Sequence, residues 1–205
     1  YLGGSFRMDG SSRFIKDNRW GSFWSVSGAW RFTHENFMES TKEVLTDGKL
    51  RLSYGVNGTQ PSVYYGYMNL YKYGQKYNGI SGMGIIGIAN PDLKWEKNKT
   101  FNVGLDLTFL NRLTFDYYQR KTSDLIYDLP VSQVGGYYDS SYGYYMPVNV
   151  GALKNSGVEV TIQTTNFQTD DFSWTTSLNI GHNTNELVTL NGEQNEIVSG
   201  QLIHR

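Results

Sequence analysis

TFNVGLDLTFLNRLTFDYYQ, residues 100–119, alternates almost without error. Phe101, Val103, Leu105, Leu107 and Phe109 fall on one face of an extended strand, and Asn102, Gly104, Asp106 and Thr108 on the other. After Leu110-Asn111-Arg112 the pattern restarts, setting Leu113, Phe115 and Tyr117 against Thr114, Asp116 and Tyr118. So brief a turn joins only adjacent antiparallel strands, and the stretch therefore predicts a hairpin. One face is greasy and the other wet. That suits a half-buried soluble sheet and a membrane barrel with a watery lumen alike.

Composition narrows the classes. The chain of 205 residues carries 18 basic and 19 acidic side chains, a net charge of -1, which leaves no electrostatic footprint for nucleic acid. Charged residues make up 18%, against roughly 25% in ordinary soluble domains. With 16 Tyr, aromatics reach 15%, and there is no Cys, which excludes disulfides and thiolate metal sites. No apolar run approaches the length of a transmembrane helix. The chain opens at Tyr1 with no basic or apolar leader and stops at His204-Arg205, so it reads as a piece of a longer polypeptide.

Working outward from the hairpin, period-two segments recur. Leu2, Gly4, Phe6 and Met8 share one side of the first. Trp24, Val26, Gly28, Trp30 and Phe32 oppose Ser25, Ser27, Ala29 and Arg31 in the second, and Leu50, Leu52, Tyr54 and Val56 oppose Arg51, Ser53, Gly55 and Asn57 in the third. Beyond the hairpin, Val158, Val160 and Ile162 oppose Glu159, Thr161 and Gln163; Phe172, Trp174, Thr176, Leu178 and Ile180 close the series. This predicts about seven strands. One short helix is expected within 33–50, where Ser40 and Glu43 have capping-box spacing.

The connections sort by parity. Short turns are predicted at 110–112 and 166–171, long Gly- and Tyr-rich segments at 58–94 and 126–152, and the helix-bearing link at 33–48 takes a turn's place. In an up-and-down antiparallel barrel alternate connections lie at the same end, and membrane barrels keep short turns at one rim and long loops at the other. The polar faces carry Asn, Ser, Thr, Gly and Gln with few charges, as a water-filled lumen requires. Aromatics near the segment ends (Phe101, Phe109, Trp24, Trp30, Phe32, Trp174) match interfacial girdles. The expected fold is therefore all-β, an antiparallel up-and-down transmembrane β-barrel with lipid outside and water inside. A soluble or surface-attached β-sandwich that binds carbohydrate stays open as the alternative, because alternation alone does not name the solvent.

Several blocks carry a resemblance: FRMDGSSRF (6–14), RWGSFWSVSGAWRFTHENF (19–37), KLRLSYGVNGTQ (49–60), NPDLKWEKNKTFNVGLDLTFLNRLTFDYYQRKTSDLI (90–126) and NVGALKNSGVEVTIQT (149–164). In this order they resemble the SusC/RagA-like TonB-dependent outer-membrane transporters of Bacteroidetes-type bacteria. Trp24 departs from that pattern where a Pro is usual, as does Gly58-Thr59-Gln60 where Gly-Asn-Gln is usual. The resemblance implies that residues 1–205 are part of a single barrel domain of about 22 strands, with the plug domain and the final strand outside this chain. It also implies a location in the outer membrane of a Gram-negative cell, energy from TonB, a SusD-like surface lipoprotein as lid, and glycans or oligopeptides as cargo. The shared blocks do not discriminate the two cargoes. No enzymatic activity and no cofactor are expected.

Chemistry-bearing motifs are few. GMGIIG, 82–87, has GxGxxG spacing but follows no predicted strand and opens no helix, so its glycines are expected to give a loop its turns. His34, His182 and His204 are scattered. A hydrolase built on Ser177 and His182 would lack the GxSxG elbow. The long loops are richer: Tyr64, Tyr65, Tyr67, Tyr71 and Tyr73 in one, and Tyr137, Tyr138, Tyr142, Tyr144 and Tyr145 in the other. Tyr64, Tyr65, Tyr67, Tyr137, Tyr138, Tyr142 and Tyr144 are candidate ligand contacts, since tyrosine stacks on sugars and peptides and orients them with its hydroxyl. Packing within the loops, or against a lid protein, is the competing role. Asp106, Asp116, Arg120 and Glu159 are candidate lumen-facing charges; pairing across strands is their competing role.

Overall fold

The computed structural model describes residues 1–131, 145–190, 196–198 and 201–203. In chain order the strands are β1 (Leu2–Gly10), β2 (Trp20–Trp30), β3 (Asp47–Thr59), β4 (Leu70–Tyr77), β5 (Ile80–Gly87), β6 (Glu96–Thr108) and β7 (Arg112–Ser123). They continue with β8 (Ile126–Pro130), β9 (Tyr145–Asn149), β10 (Ala152–Gln168), β11 (Ser173–Thr189), β12 (Glu196–Val198) and β13 (Gln201–Ile203). Seven form one antiparallel sheet, β1-β2-β3-β6-β7-β10-β11, each paired with its predecessor in the up-and-down manner. The hairpin of 100–119 forms in the register the alternation predicts, Leu105 opposite Phe115 and Leu107 opposite Leu113.

Loop parity holds. The links 11–19, 60–95 and 124–151 all leave from one end of the sheet; 31–46, 109–111 and 169–172 leave from the other. Both of the longest links carry hairpins of their own, β4–β5 and β8–β9. The first is closed by Asn78 (φ 48°) and Gly79 (φ 81°), the two left-handed residues a tight hairpin turn requires. GMGIIG thus lies within β5 and not in an irregular loop. The expected helix in 33–50 is also absent. Two 3₁₀ turns, Phe32–His34 and Asn36–Thr41, occupy its place without a side-chain cap, because Thr33 exchanges hydrogen bonds with Gly48 and ties the segment down before a full α-turn forms.

No second layer covers the apolar face among the described residues. Of its large side chains Leu52, Phe101, Phe115, Leu178 and Ile180 are exposed, and none is buried. The buried apolar residues, Phe14, Phe23, Leu93 and Leu190, sit instead at the long-link end. A sandwich would bury these faces beneath another sheet.

The apolar face also has a slanted edge. Phe6, Trp24, Val56, Lys99, Lys121, Lys154 and Glu186 are successive cross-strand partners in one row, apolar on three strands and charged on four. Toward the long-link end, the unbroken apolar run ends at Met8 on β1, Trp24 on β2 (Ser22 follows, with the rim residue Trp20 beyond) and Val56 on β3. It ends at Phe101 on β6, Tyr117 on β7, Val158 on β10 and Ile180 on β11, with Ala152 and Val188 beyond the polar and charged positions that follow. The edge falls by four rows over six strand spacings, which at about 6.7 Å per row and 4.8 Å per spacing is an inclination of about 40° to the rows. A flat hydrocarbon slab crossing strands tilted by roughly 35–45° draws such a line. Aromatic contacts flank the band at both ends: Trp24–Tyr54 (5.5 Å between ring centres) at one, Trp30–Phe37 (6.3 Å) and Phe167–Phe172 (6.1 Å) at the other.

Candidate functional site

Two regions could act on a solute: the polar face of the sheet and the long-link rim. On the polar face the centre is Arg51 of β3. Its guanidinium donates Nε to Asp106 Oδ2 (2.8 Å) and Nη2 to Asp106 Oδ1 (3.3 Å) on β6. The same Nη2 reaches Asp116 Oδ1 on β7 (2.9 Å), while Thr114 Oγ1 also donates to Asp106 (3.2 Å). Arg51, Gly104 and Asp116 are consecutive partners in one row, so the arginine crosses the whole width of β6. Gly104 makes that possible. A Cβ there would fall 2.5 Å from both the guanidinium and the Asp116 carboxylate.

Smaller polar pairs extend the pattern: Ser5 with Ser25 (2.7 Å), Asn102 Nδ2 to Ser53 Oγ (3.1 Å), Thr122 Oγ1 to Asn98 Oδ1 (2.7 Å), Tyr118 Oη to Asn183 Oδ1 (3.1 Å). Of the predicted charges, Asp106 and Asp116 are brought together by one cation. Glu159 lies beside them, opposite Asp116, exposed and without an ion pair among the described residues. Arg120 is exposed two rows further along, opposite Thr100 and Asn155. The sequence reading missed Arg51, although the hairpin register alone places Asp106 and Asp116 on adjacent rows with the small Gly104 between them.

At the rim the links 11–19, 60–95 and 124–151 are locked together. Asn149 accepts from Lys94 N (2.8 Å) and donates to Lys94 O (2.8 Å) and Asp124 O (2.9 Å); Asn90 Nδ2 donates to Pro147 O (2.7 Å). Trp95 packs between Phe14 (5.0 Å) and Phe23 (5.4 Å), and Lys94 Nζ pairs with Asp124 (3.0 Å). Arg13 stacks over the Tyr64 ring at 4.2 Å and donates to the carbonyls of Pro61 and Ser62. Tyr64 therefore serves loop packing on one face, the residue remaining 62% exposed with Tyr65 beside it at 6.5 Å. Tyr67 is half-buried; Tyr71, Tyr73 and Tyr145 are exposed. Tyr137, Tyr138, Tyr142 and Tyr144 lie outside the described residues.

Ser177 and His182 do not form a catalytic pair. They stand five positions apart on the uninterrupted β11 and so occupy opposite faces. No group of His, Asp and Glu among the described residues could hold a metal.

The architecture defines a class: an open strip of antiparallel membrane-barrel wall with its own packed rim. The sequence profile of the family described as "TonB dependent receptor-like, beta-barrel" matches residues 2–201, and the chain belongs to that family. It is 40% identical over 201 residues to the TonB-dependent receptor SusC of Bacteroides thetaiotaomicron, covering 92% of this chain and 19% of that protein. It is 34% identical over 202 residues to the TonB-dependent receptor P39 of Formosa agariphila, covering 97% and 19%. Among solved structures, the RagAB peptide transporter matches with a TM-score of 0.84 at 30% identity, over 97% of this chain and 22% of that one. The chain thus spans about a fifth of the length of these relatives.

Proposed function

We propose that this chain is the wall of a TonB-dependent, SusC-like importer in the outer membrane of a Gram-negative cell. The apolar face meets hydrocarbon, and the polar face, with Asp106, Asp116, Arg120 and Glu159, lines the lumen. The long-link rim faces outward beneath a SusD-like lipoprotein lid. Tyr64, Tyr65 and Tyr67 there are contacts for a captured glycan or oligopeptide, as are Tyr137, Tyr138, Tyr142 and Tyr144 of the chain segment between β8 and β9. The plug and the closing strand come from the rest of the polypeptide, through which TonB supplies energy; these residues themselves make and break no bonds.

The observation that carries this reading is the slanted apolar edge on an otherwise uncovered sheet. Its test uses the full-length protein in outer membranes of its host. The reading expects extraction only with detergent, heat-modifiable migration, a co-purifying surface lipoprotein, and uptake of oligosaccharide or oligopeptide abolished by a protonophore. Recovery of the protein in the detergent-free soluble fraction would contradict it. The enzymes encoded beside the lid lipoprotein, glycosidases or peptidases, separate the two cargoes.

A further inference from the structure

The row that carries the slanted edge holds more cations than the chain neutralises. Lys99 of β6 lies directly opposite Lys121 of β7, and Lys121 directly opposite Lys154 of β10. Lys97 stands one row beyond Lys99 on the same face. Glu186 is the acid of the row, and it takes Lys154 at 3.3 Å. Lys97, Lys99 and Lys121 are exposed and have no ion pair among the described residues. Elsewhere Arg7, Arg31, Arg51 and Lys94 each have a carboxylate within 3.2 Å. Arg112 and Arg120 of β7 also lack an ion pair among the described residues, but they face Thr108 and Gln163, and Thr100 and Asn155, with no like charge opposite. Like charges placed directly opposite on neighbouring strands repel. Lys97, Lys99 and Lys121, unpaired on the solvent side of an apolar band, are therefore stabilised by an external anion.

The surroundings say what kind. On the same face Phe101 follows Lys99, and Tyr117 and Val158 lie two positions past Gln119 and Ser156. Val56 flanks Lys99 laterally, and Tyr54 flanks Phe101 in the next row. The lysines thus sit one or two rows above an apolar surface, the height at which a lipid carries its headgroup. Gln119 and Ser156 add hydrogen-bonding groups between charge and grease. We infer that the outward face of β6, β7 and β10 binds a phosphorylated lipid, its phosphate between Lys97, Lys99 and Lys121 and its acyl chains along Phe101, Tyr54 and Val103. The inference rests on the reading of the apolar face as lipid-facing.

The test uses the intact transporter purified in neutral detergent. Micelles are doped with a synthetic monophosphorylated disaccharide lipid, with its dephosphorylated counterpart, or with inorganic phosphate alone, and binding is read by native mass spectrometry. The wild type retains the phosphorylated lipid in preference to the dephosphorylated one. The K97Q/K99Q/K121Q variant weakens that binding by at least about tenfold, and K97R/K99R/K121R restores it. Equal binding of the two lipids by the wild type, equal binding by the glutamine variant, or an effect seen fully with inorganic phosphate would overturn the inference. Heat-modifiable migration, scored in parallel, keeps its failure apart from failure of the barrel reading. A protein that migrates as a barrel but ignores the phosphate refutes the lipid site alone.

Discussion

The two faces of the same sheet solve opposite problems. On the polar face Arg51, Asp106, Asp116 and Thr114 complete one another, as do Asn102 with Ser53 and Thr122 with Asn98. On the other face Leu52, Phe101, Phe115, Leu178 and Ile180 meet nothing that buries them. Each stranded apolar side chain forfeits about 1.5–3 kcal/mol of burial if water covers it. A face of this size is stable only against another apolar phase, so the residues left without partners identify the solvent better than the paired ones do.

Adjacent positions on β6 break that comparison most sharply. In the intact barrel, Leu105→Arg should cost about 2–4 kcal/mol in a vesicle-refolding titration if the site lies near mid-bilayer. Gly104→Val is next, at about 1–3 kcal/mol, because its first added atom already collides with Arg51 and Asp116. That variant should also detach Arg51 from Asp116, which a crystal structure of it would show directly. Arg51→Met leaves two carboxylates without their cation. Because Arg51 and Asp116 are each more than a third exposed, screening limits the loss to about 1 kcal/mol, and the loss should shrink as salt is raised. Asp106→Asn keeps one oxygen to accept from Arg51 and should cost least in stability, below about 1 kcal/mol, while altering the rate of solute uptake. Similar costs for Leu105→Arg and Asp106→Asn would erase the distinction between the faces.

Much of this was legible in the sequence, for a physical reason. A spanning strand repeats one decision, grease or water, at every second residue, so the 100–119 hairpin, the seven-strand sheet and the parity of links follow from alternation. The β4–β5 hairpin stayed hidden because glycines dilute its pattern; its Asn78-Gly79 turn was the signal. The 3₁₀ turns at 32–41 replaced a helix because Thr33 and Gly48 bond across the link, a contact that no local pattern states. The Arg51 bridge depends on three strands at once, and only their joint register exposes it. The slanted edge was likewise invisible strand by strand. It emerges when seven apolar limits are placed on a common set of rows.

The most direct measurement labels single cysteines at positions 103, 104, 105 and 106 of the full-length barrel in bilayers, starting from a stretch that holds no native Cys. Nitroxide collision rates with oxygen and with a water-soluble nickel complex then report the medium at each site. Hydrocarbon on the apolar face predicts high oxygen and low nickel access at 103 and 105, with the reverse at 104 and 106. Low access to both reagents at 103 and 105 would place another layer of protein over them and contradict the account.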